Sequence, residues 1–151
     1  MKKITYQELL AEMDPSVHEN IASAARAKGA THVALARNEQ MDSSAFGDKT
    51  VAVVGPNCTF KTPEDCAGQW LGDLPSQRKY FVAYAEVPLI ARIESVFEVG
   101  GAAKITMPSG LEFTLTYDDL HGVVRAYADG DQMAESDSAR ALAAELEEIG
   151  A

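Results

Sequence analysis

Apolar residues near the N-terminus recur at helical spacing. Tyr6, Leu9, Leu10 and Met13 follow the stretch TYQE (5–8), a capping-box pattern with Thr5 as cap and Glu8 reaching back. Asp14 is placed to cap a second helix, with Pro15 in its first position. Val17, Ile21, Ala24 and Ala25 give that helix a narrow face of mostly small residues, and Gly29 stands where a C-terminal glycine is expected. THVALAR then reads as a strand with Val33 and Leu35 on one side. NEQMDSSAFGDK (38–49) has no period and reads as a loop about as long as ordered loops usually get, longer ones tending to be functional or mobile. TVAVV (50–54) is apolar in the manner of a strand buried on both faces. TPEDCAGQWLGDLP (62–75) predicts a short helix ended by Gly72 and Pro75.

From residue 79 the pattern alternates. In ARIESVFEV, the residues Ala91, Ile93, Ser95, Phe97 and Val99 share one face, which predicts a strand. In LEFTLTY, the residues Leu111, Phe113, Leu115 and Tyr117 alternate with Glu112, Thr114 and Thr116. Gly100-Gly101 and PSG (108–110) supply turns, so this half predicts an antiparallel meander. TYDD (116–119) is a second capping-box pattern and predicts a helix to about Ala128, against which Gly122 counts. DGDQMAES reads as a loop. A last helix over about 138–149 is expected to bury Leu142, Leu146 and Ile149. The expected fold is a single α+β domain over 1–151: N-terminal helices, a mostly antiparallel sheet, and C-terminal helices packed on one face.

GPNCTFKT (55–62) has the outline of a phosphate loop after a strand, with Gly55 first and Lys61-Thr62 last. The chain places Phe60 where the second glycine belongs, and phenylalanine does not take the positive φ that position needs. Pro63 follows at once, so the helix starts too late to present free N–H groups to phosphate. With Asp65 three residues on, Thr62 reads as a cap. Nucleotide hydrolysis is not expected.

Composition narrows the function. The chain has 151 residues and a net charge of -10. Residues 1–110 contribute 13 acidic and 11 basic side chains, residues 111–151 10 and 2. Such a balance disfavours direct nucleic-acid binding, which needs a basic footprint, and suits an acidic face offered to a basic partner. No apolar run reaches the ~20 residues of a membrane span, and Thr5, Gln7 and Glu8 break up the stretch a signal peptide would need. A cytoplasmic protein with free thiols at Cys58 and Cys66 is the expectation.

No metal-binding spacing or nucleophile elbow is present, and neither a cofactor nor a catalytic set is expected. Asp118 and His121 read as neighbours on a helix, either orienting a base or metal or forming a surface ion pair. Cys66 lies just inside a helix start but beside Glu64 and Asp65, and reads as a small buried residue. The leading functional expectation is a small acidic binding protein, an inhibitor or adaptor of the kind carried by phages and mobile elements. It would engage a basic partner through Asp118, Asp119, Asp129, Asp131, Glu135 and Asp137. A second reading is a small-molecule site built from Gln40, Asp42, Ser43, Asn57, Phe60 and Lys61 with Arg78, whose SQRKYF context carries hot-spot residue types. A third is a self-assembling homo-oligomeric subunit.

Overall fold

The computed structural model describes residues 1–38, 49–72 and 78–151. Gln40, Asp42 and Ser43 therefore lie outside the described residues, as does Pro75. The fold is α+β and falls into two compact units, Met1–Pro88 and Leu89–Ala151.

The first unit begins with the two-residue strand β1 (Lys2–Lys3) and helix α1 (Tyr6–Ala11). Its capping box is formed as expected: the Glu8 amide donates to Thr5 Oγ1 at 3.1 Å, and the Thr5 amide to Glu8 Oε1 at 3.4 Å. Asp14 caps a 3-10 turn (Pro15–Val17) that leads into α2 (His18–Lys28), and Gly29 closes α2 at φ 60°. Strands β2 (His32–Arg37) and β3 (Lys49–Val54) form an antiparallel pair. A 3-10 turn at Pro63–Cys66 precedes β4 (Trp70–Leu71) and β5 (Lys79–Glu86). Among the described residues, the short helix expected over 62–75 is reduced to this one 3-10 turn, and the chain is extended again by Trp70.

Sheet order is β1-β5-β2-β3, with β4 also on β5. β2 is buried on both sides from Val33 to Ala36. Ala34 and Ala36 belong to a cluster with Val54, Cys66 and Phe81, against which Phe60 and Leu71 pack. Val33 and Leu35 take the opposite face, on the side of α1 and α2, whose Leu9, Ile21 and Ala25 are buried. These small residues let both layers close on the strand.

The second unit is α3 (Leu89–Val99), the meander β6 (Ala102–Thr106), β7 (Glu112–Asp118), β8 (Val123–Ala128), β9 (Asp131–Ser136), and α4 (Ala139–Ile149). Phe113, Leu115, Val124 and Ala126 face Ile93, Val96, Leu142 and Leu146, so both helices lie on one side of the sheet. The alternation expected for LEFTLTY holds, and Ser138 caps α4.

Four local expectations give way here. ARIESVFEV is helical: Leu89, Ile90, Ile93, Val96 and Phe97 all pack on the core, a complete helical stripe. Its apolar residues satisfy both periods, and the two upstream ones decide. Gly100, at φ 69°, ends α3 rather than turning a hairpin, its amide donating to Val96 O at 2.9 Å. The helix expected after Thr116 is a hairpin. Asp118 accepts from the amides of Leu120 and His121 at 3.0 and 3.3 Å, and Gly122 takes φ 68°, which no helix interior allows. DGDQMAES is strand β9, entered through Asp129-Gly130 at φ 53° and 84°, the two-residue turn that matches strand twist. Ile149 is not buried but 37% exposed at the end of the α4 stripe.

Leu142 and Leu146 are wholly buried, which makes α4 part of the core of its unit. Leu146→Ala is expected to cost about 2–5 kcal/mol, read as a lowered urea midpoint. An unchanged midpoint would place α4 outside the cooperative core.

Candidate functional site

The stretch GPNCTFKT owes its residues to packing. A Cβ on Gly55 would stand 3.2 Å from Ala30 Cα, 3.3 Å from Thr31 N and 3.4 Å from Gly29 O. The chain leaving β3 thus runs against the α2–β2 corner, where side chains do not fit. It then folds back: the Gly55 amide donates to Phe60 O at 3.0 Å, and Phe60 pairs in parallel with Val54. Lys61 Nζ donates to Pro56 O and Cys58 O at 3.0 and 2.8 Å, so its ammonium ties the loop to itself. Asp65 Oδ2 accepts from the amides of Lys61 and Thr62 at 3.2 and 3.1 Å. A carboxylate of this chain occupies the pair of N–H groups that an anion would need.

This fold-back completes a groove of about 620 Å³. Asn20, Ile21, Ala24 and Lys28 of α2 form one wall, and the 57–60 segment with Leu71 the other. Val51, Ala52 and Val53 of β3 form its floor. Successive strand residues point to opposite faces, so a groove touching all three runs along the outer edge of β3. Of the sequence-predicted ligand residues, Asn57 and Phe60 line it. Lys61 does not, being committed to its own loop. Ile21, Ala24, Lys28 and Val51–Val53 were not expected from the sequence to belong to a ligand site. One signal was available: TVAVV has the composition of an interior strand.

Arg78 lies elsewhere in this unit. Its guanidinium carbon stands 4.5 Å from the Trp70 ring, whose centroid is 6.0 Å from that of Tyr80. Phe81, next along β5, instead meets Phe60 at 5.3 Å, so the two aromatic pairs take opposite faces. The structure does not bring Arg78 together with Asn57 and Phe60. Trp70 and Tyr80 are each exposed by about two fifths.

Both cysteines are free and buried. Burial pushes the Cys66 thiol up to about 11, and Asp65 and Glu64 add to it. Burial also raises Cys58, against the opposing pull of Lys28 and Lys61. Neither is poised as a nucleophile.

In the second unit the six predicted acidic residues divide. Asp118, Asp119 and Asp137 stand at the β7–β8 end of the meander, and Asp129 and Asp131 at the β8–β9 end, about 20 Å away along β8. Glu135 lies between. Arg125 joins two of them, donating to Asp118 Oδ2 at 2.6 Å and to Glu135 Oε2 at 2.7 Å. His121 Nδ1 is also 2.7 Å from Asp118 Oδ2. The Asp118–His121 contact is therefore a hydrogen bond across a hairpin turn, not a pair on a helix. The hydrogen bonds from His121 and Arg125 hold the Asp118 carboxyl well below the usual carboxylate range. Asp129 shares an open cleft with Glu112, Thr114 and Tyr127 on the sheet face away from the helices.

Among the described residues, no group of three or more His, Cys, Asp and Glu is placed to hold a metal ion, and no helix is long and apolar enough to cross a membrane. No protein-family model matches the chain, and neither a curated protein nor a solved structure does.

Two outcomes follow from this geometry. Gly55→Ala must displace backbone and is expected to cost about 1–3 kcal/mol. Neither it nor the native chain is expected to gain thermal stability from ATP with magnesium. A nucleotide-dependent rise in the native melting point, lost in the variant, would restore the phosphate-loop reading.

The second concerns acid. A depressed carboxylate contributes stability above its unfolded value of about 4, and that contribution is lost as pH falls toward the lower folded value. Asp118→Asn keeps the turn acceptor but not the charge. The variant is expected to be less stable than the native chain at pH 7 and to converge with it as pH drops below 4. Urea midpoints across pH 2–7 measure this, and parallel curves would exclude the carboxylate as the source.

Proposed function

We propose that this protein is a small non-catalytic binding protein, an inhibitor or adaptor, whose acidic second unit engages a basic surface of a partner protein. The observation that supports it is uncompensated charge. Residues 89–151 carry 12 acidic and 4 basic side chains, against 11 and 9 in residues 1–88. Arg125, the cation at the centre of the meander, is consumed by Asp118 and Glu135. Asp119, Asp129, Asp131, Asp137, Glu145, Glu147 and Glu148 are all exposed. Among the described residues none of these seven forms an ion pair. Their like charges repel in the compact state, and a basic partner relieves that repulsion.

Because the acids sit at both ends of the sheet, they act as a field rather than as one contact patch. Such a field steers encounter more than it sets lifetime. Replacing Asp119, Asp129, Asp131 and Asp137 together by asparagine leaves the Arg125 pairs in place. With a basic partner recovered from the source cell, the variant is expected to associate about ten-fold more slowly at low salt, with little change in dissociation. Surface plasmon resonance at two ionic strengths measures both rates. An unchanged association rate at low salt would reduce these acids to a solubilising surface.

A further inference from the structure

Sheet edges expose unpaired backbone donors and acceptors, and proteins normally blunt them. Three of the four edges here are blunted. On the side of β5 away from β2 run two-residue strands, β1 and β4. On β6, Arg92 Nη2 donates to Lys104 O at 2.8 Å, which takes up one carbonyl of that strand. β9 carries exposed Asp131 and Glu135 and a bulge opposite Ala126 and Tyr127.

The fourth edge, β3, carries a charge only at its first residue, Lys49, whose ammonium is taken up by Glu12 at 2.8 Å. It pairs with β2 over six residues without a register shift, and from Thr50 to Val54 it has no charge and no proline. Among the described residues its outer side is paired only at Val54, by Phe60. Its sequence is that of an interior strand, yet Val51, Ala52 and Val53 are only half-buried.

From this edge and the groove along it we infer that β3 accepts an extended segment of a partner protein as an added strand, with apolar side chains at alternate positions and a carboxylate directed at Lys28. Main-chain hydrogen bonds to the free edge supply affinity, and the two walls receive alternate side chains. Ile21 and Ala24 form the pocket on one face, Phe60 and Leu71 that on the other. Lys28 is the one charged residue of the lining, and among the described residues it forms no ion pair. An occupant that brings a carboxylate is therefore favoured over a neutral or basic one. A second copy of this chain fits poorly, because its own β3 edge carries the same two walls. The inference stands apart from the acidic surface of the other unit.

A random decapeptide phage library panned on the full chain tests it. Enriched peptides are expected to alternate apolar residues and to carry an acidic side chain or depend on their free C-terminal carboxylate. By fluorescence polarisation their dissociation constants should rise at least about ten-fold with Lys28→Glu or Ala24→Glu. Both positions are exposed on α2, and amide spectra verify that the variants stay folded. Bound peptide should also slow hydrogen exchange at alternate amides between Lys49 and Val53, a mark of strand addition that a small molecule or docked helix does not leave. Failure to enrich any peptide, binding that leaves β3 exchange unchanged, or concentration-dependent protection of β3 in the protein alone would each overturn the inference.

Discussion

The contact between the Gly55 backbone and the Gly29–Thr31 connection is the constraint on which the first unit's groove depends. Three backbone atoms of that corner stand within 3.4 Å of where a Cβ would be. Because the chain passes so close, it can reverse directly after β3, pair Phe60 beside Val54 and set the Phe60 ring against Phe81. The reversal builds a wall beyond an edge strand that would otherwise face water. Lys61 and Asp65 then stiffen it by satisfying carbonyls and amides of the same loop. The residues that gave this stretch the outline of a phosphate loop thus serve a packed turn.

The two units differ in how they meet their surroundings. The first has nearly balanced charge and small residues on its central strand, so its layers close tightly, and an apolar concavity lies along a strand edge. The second has an ordinary hydrophobic core beneath α3 and α4 and a rim of carboxylates. Arg125 lies at the point where two of those carboxylates would otherwise face each other across β8. Its paired hydrogen bonds convert a local repulsion into a brace. Asp119, Asp129, Asp131, Asp137, Glu145, Glu147 and Glu148 are exposed to the solvent.

What the sequence revealed depended on whether the deciding chemistry was local. The Thr5–Glu8 capping box, the Asp14-Pro15 start, the Gly29 stop and the Ser138 start need only neighbouring residues, and each was legible. ARIESVFEV was not, since apolar residues fall on both its even and its helical positions. The choice rests on Leu89 and Ile90 and on the sheet they meet. Asp118 also has two local uses, as helix cap or as turn acceptor, and Gly122 is the residue that decides between them. The groove was illegible for a different reason. Its parts come from residues 20–28, 51–53, 57–60 and 71, ordinary core types that tertiary structure alone brings together.

Strand order also sets the sequence in which the two units can assemble. In the second, every strand pairs with its neighbour in the chain, so each hairpin closes a short loop and contact order is low. In the first, β5 is the last strand made yet lies inside the sheet, between β1 and β2, with Lys2 in register with Ala83. A chain emerging from the ribosome therefore holds β2 and β3 as an isolated hairpin until residue 86 is free. During that interval the apolar runs VALA and VAVV stand without β5. The first unit is consequently the slower and more exposed of the two, although it is synthesised first.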